Sequence, residues 1–247
     1  MMGPRIVVGV DGSTGSRAAV RWAATEALLR GAELRVLTAY HLPGAGAETG
    51  DILHDAVTYA RAVAPGVEVT CMALAGYAVP VLLHAAEVAD VVVVGCRHGG
   101  GLPGAPHGTV GTQVATHARC CVVVVRGRSG SGTGPVVVGV GDQAADGGVI
   151  GRAFEEAALH DAAVLAVTTQ DPELADSLAV WREKFPDVPA DCEVAEGDPG
   201  KVLTDRSRQA RLVAVGPRRH GFEGVMLGAI GGRLLDHADC PVLIARP

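Results

Sequence analysis

Residues 89–95 read ADVVVVG, and residues 210–216 read ARLVAVG. Each is a short apolar run closed by glycine, the signature of a strand buried on both faces rather than of a helix. The pairing continues outward from these two runs. PRIVVGV at 4–10 matches PVVVGV at 135–140, and WAATEALL at 22–29 matches AFEEAAL at 153–159. THARCCVVVVRG at 116–127 matches DHADCPVLIARP at 236–247. The chain is thus two copies of one unit. Between them GRSGSGTGP, residues 127–135, has the composition of a linker. Two domains are expected, 1–127 and 135–247, joined by 128–134.

Within each copy, Val-rich runs alternate with Ala-rich helical patterns. In the first, Ala19, Val20, Ala23, Ala24, Ala27 and Leu28 recur at helical spacing and are expected to form one apolar face. Gly31 falls where a helix would be capped, ahead of the strand-like ELRVLTAY. Apolar strands alternating with helices predict a parallel sheet covered on both faces. Ligands of such sheets lie beyond the carboxyl ends of the strands, where the strand order reverses.

Composition excludes several classes. Hydrophobic residues make up 48% of the 247 and aromatics only 3%, so the core is built from Val, Leu and Ala. A net charge of -6 disfavours nucleic acid and anionic membranes as partners. The apolar runs are too short to span a bilayer, and the start of the chain, with Arg5 and Asp11 flanking IVVGV, is not that of a signal peptide. None of the six cysteines forms a CxxC pair, and they are expected to be mostly buried thiols of a reducing cytoplasm.

Two loops carry chemistry. VGVDGS places Asp11 and Ser13 just after the first strand, as helix caps or as ligand contacts. GCRHGGGLPGAPHGTVG, residues 95–111, holds seven glycines in seventeen residues and ends on Gly108-Thr109 before a helical stretch. Backbone N–H groups at a helix start, with a hydroxyl beside them, suit phosphate oxygens; a long surface loop is the other reading. The topology puts both turns at one sheet edge.

With VGVDGS, ADVVVVG and the ending H-A-x-C-x-V-x-V, nearly the whole chain resembles a tandem universal stress protein. The resemblance implies two flavodoxin-like (Rossmann-like) α/β domains, each a five-stranded parallel sheet of order 3-2-1-4-5 with helices on both faces. ATP-binding members carry an Asp after strand one and a loop G-x2-G-x9-G-[S/T]. Carried onto the first copy, Asp11 lies by the adenosine, Ala39 faces adenine, Gly95 opens the loop, and Gly108 and Thr109 close it on the phosphates. Val10, Ser13, Arg97, His98 and Val110 complete the implied site. His98 replaces the second motif glycine; its ring either donates to phosphate or blocks the approach, and Gly99, Gly100 and Gly101 follow it directly. In the second copy Gly141 stands for the Asp, Gln143 for the Ser and Ala229 for Thr109, which marks that copy as degenerate.

The lookalikes are weaker. Gly139 to Ala144 satisfies the dinucleotide fingerprint GxGxxA, but the repeat explains it as VGVDGS without its Asp. Cys96, His98, His107 and His117 match no zinc spacing, and Glu155 and Glu156 read as a solvated helix face. No nucleophile or acid–base pair stands out, so no catalysis beyond slow hydrolysis is expected. The resemblance implies a cytoplasmic stress-response regulator binding ATP, with Mg²⁺, in the first domain; the alternative is a scaffold of the same fold without nucleotide. The apolar terminal strands CCVVVVRG and CPVLIAR would pair the two copies as an intramolecular pseudo-dimer, with a homodimer also plausible.

Overall fold

A computed structural model of the chain describes residues 3–41, 46–96, 110–127, 133–141, 143–169, 174–216, 218–219 and 225–246. The chain divides into two compact units, Met1–Arg126 and Gly127–Pro247. The first runs β1 (Arg5–Gly9), α1 (Thr14–Arg30), β2 (Glu33–Tyr40), α2 (Gly46–Val63), β3 (Val69–Ala75), α3 (Ala78–Ala85), β4 (Val91–Gly95), α4 (Val110–His117) and β5 (Cys121–Val125). Its strands lie in the order β3-β2-β1-β4-β5, all parallel, as the sequence led us to expect.

The order follows from local chemistry. Val7, Val8, Val92, Val93, Val122 and Val123 are all buried, so β1, β4 and β5 need cover on both faces. Right-handed crossovers put α1 and α2 on one face, where they pack together. From β3 the chain jumps back past β2 and β1 to β4, which sends α3 and α4 to the other face, where they also pair. The reversal between β1 and β4 opens a crevice at the carboxyl edge.

The second unit repeats the plan with β6 (Val136–Gly139), α5 (Gln143–Leu159), β7 (Val164–Thr168), α6 (Leu174–Lys184), β8 (Ala190–Val194), α7 (Pro199–Arg206), β9 (Leu212–Val215), a small antiparallel pair β10 (Arg218–Arg219) and β11 (Val225–Met226), α8 (Ala229–His237) and β12 (Val242–Ile244). Its parallel sheet has the order β8-β7-β6-β9-β12. The copies agree down to single hydrogen bonds. Val10 N donates to Leu37 O at 2.8 Å, and Val140 N to Val167 O at 2.9 Å. Gly31 caps α1 in the left-handed region at φ 59°, and Asp161 takes the same role after α5 at φ 50°, one of the few residue types that tolerates it.

Three expectations fail on burial. Leu28 is 45% exposed while Glu26 is 1% exposed. A helix turns 100° per residue, so Leu28 lands outside one edge of the Ala-lined stripe and Glu26 inside the other. The buried Glu26 is ion-paired to Arg30 at 3.2 Å. Glu156, which the repeat equates with Glu26, is likewise buried rather than on a solvated face. The thiols, all free, are not mostly buried. Cys121 and Cys240 are, but Cys71 and Cys192 are exposed, on β3 and β8, whose residues are mostly exposed.

No helix of the described residues is long and apolar enough to cross a membrane.

Candidate functional site

The site is built where β1 ends. Val10 is buried, with its N–H bonded into β2, and the chain then turns through Asp11 and Gly12 into α1. Gly12 has φ +76°, and an added Cβ there would stand 3.3 Å from Ile52 Cγ1 of α2. The turn is fixed by two side chains. Asp11 Oδ1 accepts from Ser13 N at 3.0 Å, and Ser13 Oγ accepts from Ser16 N at 3.1 Å as the cap of α1. Asp and Ser are favoured here because their short oxygens satisfy N–H groups that the helix cannot. Asp11 itself is exposed at the edge.

Gly95, the last residue of β4, lies directly against the start of α1. A Cβ on Gly95 would fall 2.2 Å from Gly15 C and 2.6 Å from Ser16 N; a Cβ on Gly15 would fall 2.3 Å from Cys96 O. Bare backbone meets bare backbone, so the turn bearing Asp11 and Ser13 and the strand end that opens the glycine loop form one surface. Ala39, half-buried, stands near the end of β2, the strand paired to β1. Val110 opens α4 and is exposed; its neighbour Gly111 packs towards Val94, which keeps that helix start at the end of β4.

Of the residues expected from sequence, Val10, Asp11, Ser13 and Gly95 are thus brought together at the reversal of strand order, with Ala39 near the end of β2 and Val110 at the start of α4. Arg97, His98, Gly108 and Thr109 lie outside the described residues. Where the second unit has Gly141, a Cβ would meet nothing within 4 Å. Gly141 itself offers no carboxylate to brace the turn.

The sequence reading missed a cavity of about 250 Å³ between α1 and α2, whose lining includes Val10, Gly12, Arg17, Val20, Ile52 and Tyr59. The signal was present in the helical spacing of Glu48, Ile52, Asp55 and Tyr59. At the opposite, amino edge of the first sheet, the Thr70 hydroxyl, Arg5 and Arg35 all bond to Glu33 and hold its carboxyl below the usual range.

A family model described as the universal stress protein family matches residues 2–126 and 170–246. The chain belongs to that family. The stretch between the two matches contains β6, α5 and β7, the part of the second copy that has lost the Asp turn. A universal stress protein of Mycobacterium tuberculosis (strain H37Rv) is 30% identical, the alignment covering 98% of this chain and 96% of the relative. One from Mycolicibacterium smegmatis is 31% identical over 98% and 97%. The crystal structure of a universal stress protein from Archaeoglobus fulgidus superposes over 100% of this chain and 99% of its own, with a TM-score of 0.80 at 15% identity, which supports the shared fold.

Proposed function

We propose that the first universal stress protein domain, residues 1–127, binds an adenine nucleotide, ATP with its Mg²⁺, and that the protein acts as a cytoplasmic stress-response regulator. The observation that carries this is the backbone contact of Gly95 with Gly15. It joins the Asp11 turn to the entrance of the glycine loop, with backbone packed so closely on backbone that no Cβ fits between them. A carboxylate on a fixed turn accepts from sugar hydroxyls, and bare backbone beside a helix start receives phosphate oxygens. Asp11, Ser13, Val10 and Ala39 would hold the nucleoside; Gly95, Arg97, His98, Gly108, Thr109 and Val110 would surround the phosphates and their metal.

The reading contains no catalytic step beyond slow hydrolysis. The domain at 135–247, with Gly141 and Ala229 in place of the Asp and the hydroxyl, would be a structural copy. That the two domains pair as an intramolecular pseudo-dimer, and that chains pair further, is part of the same proposal and rests on the tandem architecture alone.

Calorimetry of ATP with Mg²⁺ against wild type, Asp11→Ala and Thr109→Ala tests it. Micromolar binding, weakened about tenfold or more in each variant, is the expected result. No heat and no thermal stabilisation at millimolar ATP would make the protein a scaffold without nucleotide.

A further inference from the structure

The cavity lies between α1 and α2 of the first unit, and the first turns of α2, from Gly46 on, supply Glu48, Asp51 and Ile52 to its wall. In the second unit, Phe154, Trp181 and Phe185 pack with ring centroids 5.7–6.4 Å apart between α5 and α6. The first unit has Ala24, Ala60 and Ala64 at the equivalent positions and carries its aromatic ring, Tyr59, at the cavity instead.

The chemistry of the walls is two-sided. Val10, Val20 and Ile52 give an apolar floor, and Tyr59 a ring wall. Above them stand the carboxylates of Glu48, Asp51 and Asp55, which have no ion-pair partner among the described residues. Among the described lining residues the single cation, Arg17, sits over the Tyr59 ring at 3.9 Å from its centroid. Three exposed carboxylates on a helix are by themselves an ordinary solvated face. Here they share a cavity of about 250 Å³ with an apolar floor, and its described lining carries an excess of two negative charges. Cavities of about 150 Å³ hold a benzene ring, so this one has room for a ring and a short chain.

We propose that this cavity binds a small organic amine, its apolar body against Val20, Ile52 and Tyr59 and its ammonium among Glu48, Asp51 and Asp55. An anion of the same shape is rejected by the same carboxylates. The site adjoins the proposed nucleotide site through Val10 but needs no nucleotide.

The test is a ¹H–¹⁵N NMR titration of the nucleotide-free full chain with 2-phenylethylammonium and, separately, with 3-phenylpropionate. The expected result is saturable shifts from the amine alone, centred on α1 and α2, with millimolar or tighter affinity. The Asp51→Asn/Asp55→Asn double variant should weaken it about tenfold, and Ala56→Phe, which fills the cavity, should abolish it. Absence of shifts at about 10 mM amine, equal response to the anion, shifts centred elsewhere, or undiminished binding in the double variant would each overturn the proposal. The Asn pair lies on exposed positions and keeps the test decisive if Ala56→Phe does not fold.

Discussion

A Cβ placed on Gly95 would stand 2.2 Å from the carbonyl oxygen of Gly15, inside any real contact distance. The neighbour is backbone rather than a side chain that can swing away, so β4 or α1 must move. Gly95→Ala is therefore expected to destabilise the first unit by about 1–3 kcal/mol, the usual range for overpacking and forced backbone shifts. Gly50→Ala is the matched control. It lies exposed within α2 with nothing near an added Cβ, and should gain about 0.5–1 kcal/mol from helix propensity. Urea unfolding of the two variants reads both signs in one experiment.

Ser13→Ala isolates the cap from the ligand site. Ser13 Oγ accepts from Ser16 N, and its loss leaves a helix-start donor without its partner. A loss of about 1 kcal/mol is expected, measured by urea unfolding without nucleotide. An unchanged midpoint would show that the hydroxyl does not act as a cap.

The thiols should divide into classes under a charged disulfide reagent. Cys71 and Cys192 are exposed on β3 and β8 and should react fast. Cys121 and Cys240 are buried and should stay silent until unfolding. Cys120 is a sharper case. Burial first, and then the neighbouring Cys121, push its thiol up to about 11. Because the thiolate is the nucleophile, its alkylation should stay slow at pH 8 and accelerate only towards pH 11. Mass spectrometry after timed alkylation resolves the sites, and fast modification of Cys120 at pH 8 would contradict the burial argument.

The fold was legible because its signal is long-range and redundant. Two copies of VVVG-type strands and Ala-rich helices fix the period and the parallel sheet, and the resemblance to the family supplied the order of strands. The Asp11 turn was legible too, since a carboxylate and a hydroxyl after a strand have few local uses. Burial of single side chains was not. Leu28 and Glu26 exchange roles because they fall at the two edges of a helix stripe, where a few degrees decide exposure. Cys71 is exposed because most of β3 is left uncovered, a property of the assembled packing rather than of local sequence. The α1–α2 cavity depends on where α2 begins, and element boundaries are the least readable feature of a lone sequence.

Glu33 makes the amino edge of the first sheet pH-sensitive. The Thr70 hydroxyl donates to it at 2.7 Å, and Arg5 and Arg35 pair with it at 3.0 and 3.2 Å. The Thr70 bond is the largest cause of its lowered pKa, with burial opposing and the two arginines adding to it. A folded-state pKa below the ordinary 4.5 means the folded chain holds the charged form better than the unfolded chain does. That contribution is complete above the ordinary value and is lost as pH falls through the lowered one. Glu33→Gln should therefore be less stable than wild type at pH 7 by about 1 kcal/mol, a modest figure because the side chain is partly solvated. The gap should close as the pH is taken from 5 to about 3. Thr70→Val, which removes the leading partner, should narrow the same pH-dependent difference. Parallel urea titrations across that range check the sign, and a gap that widened on acidification would contradict the assignment.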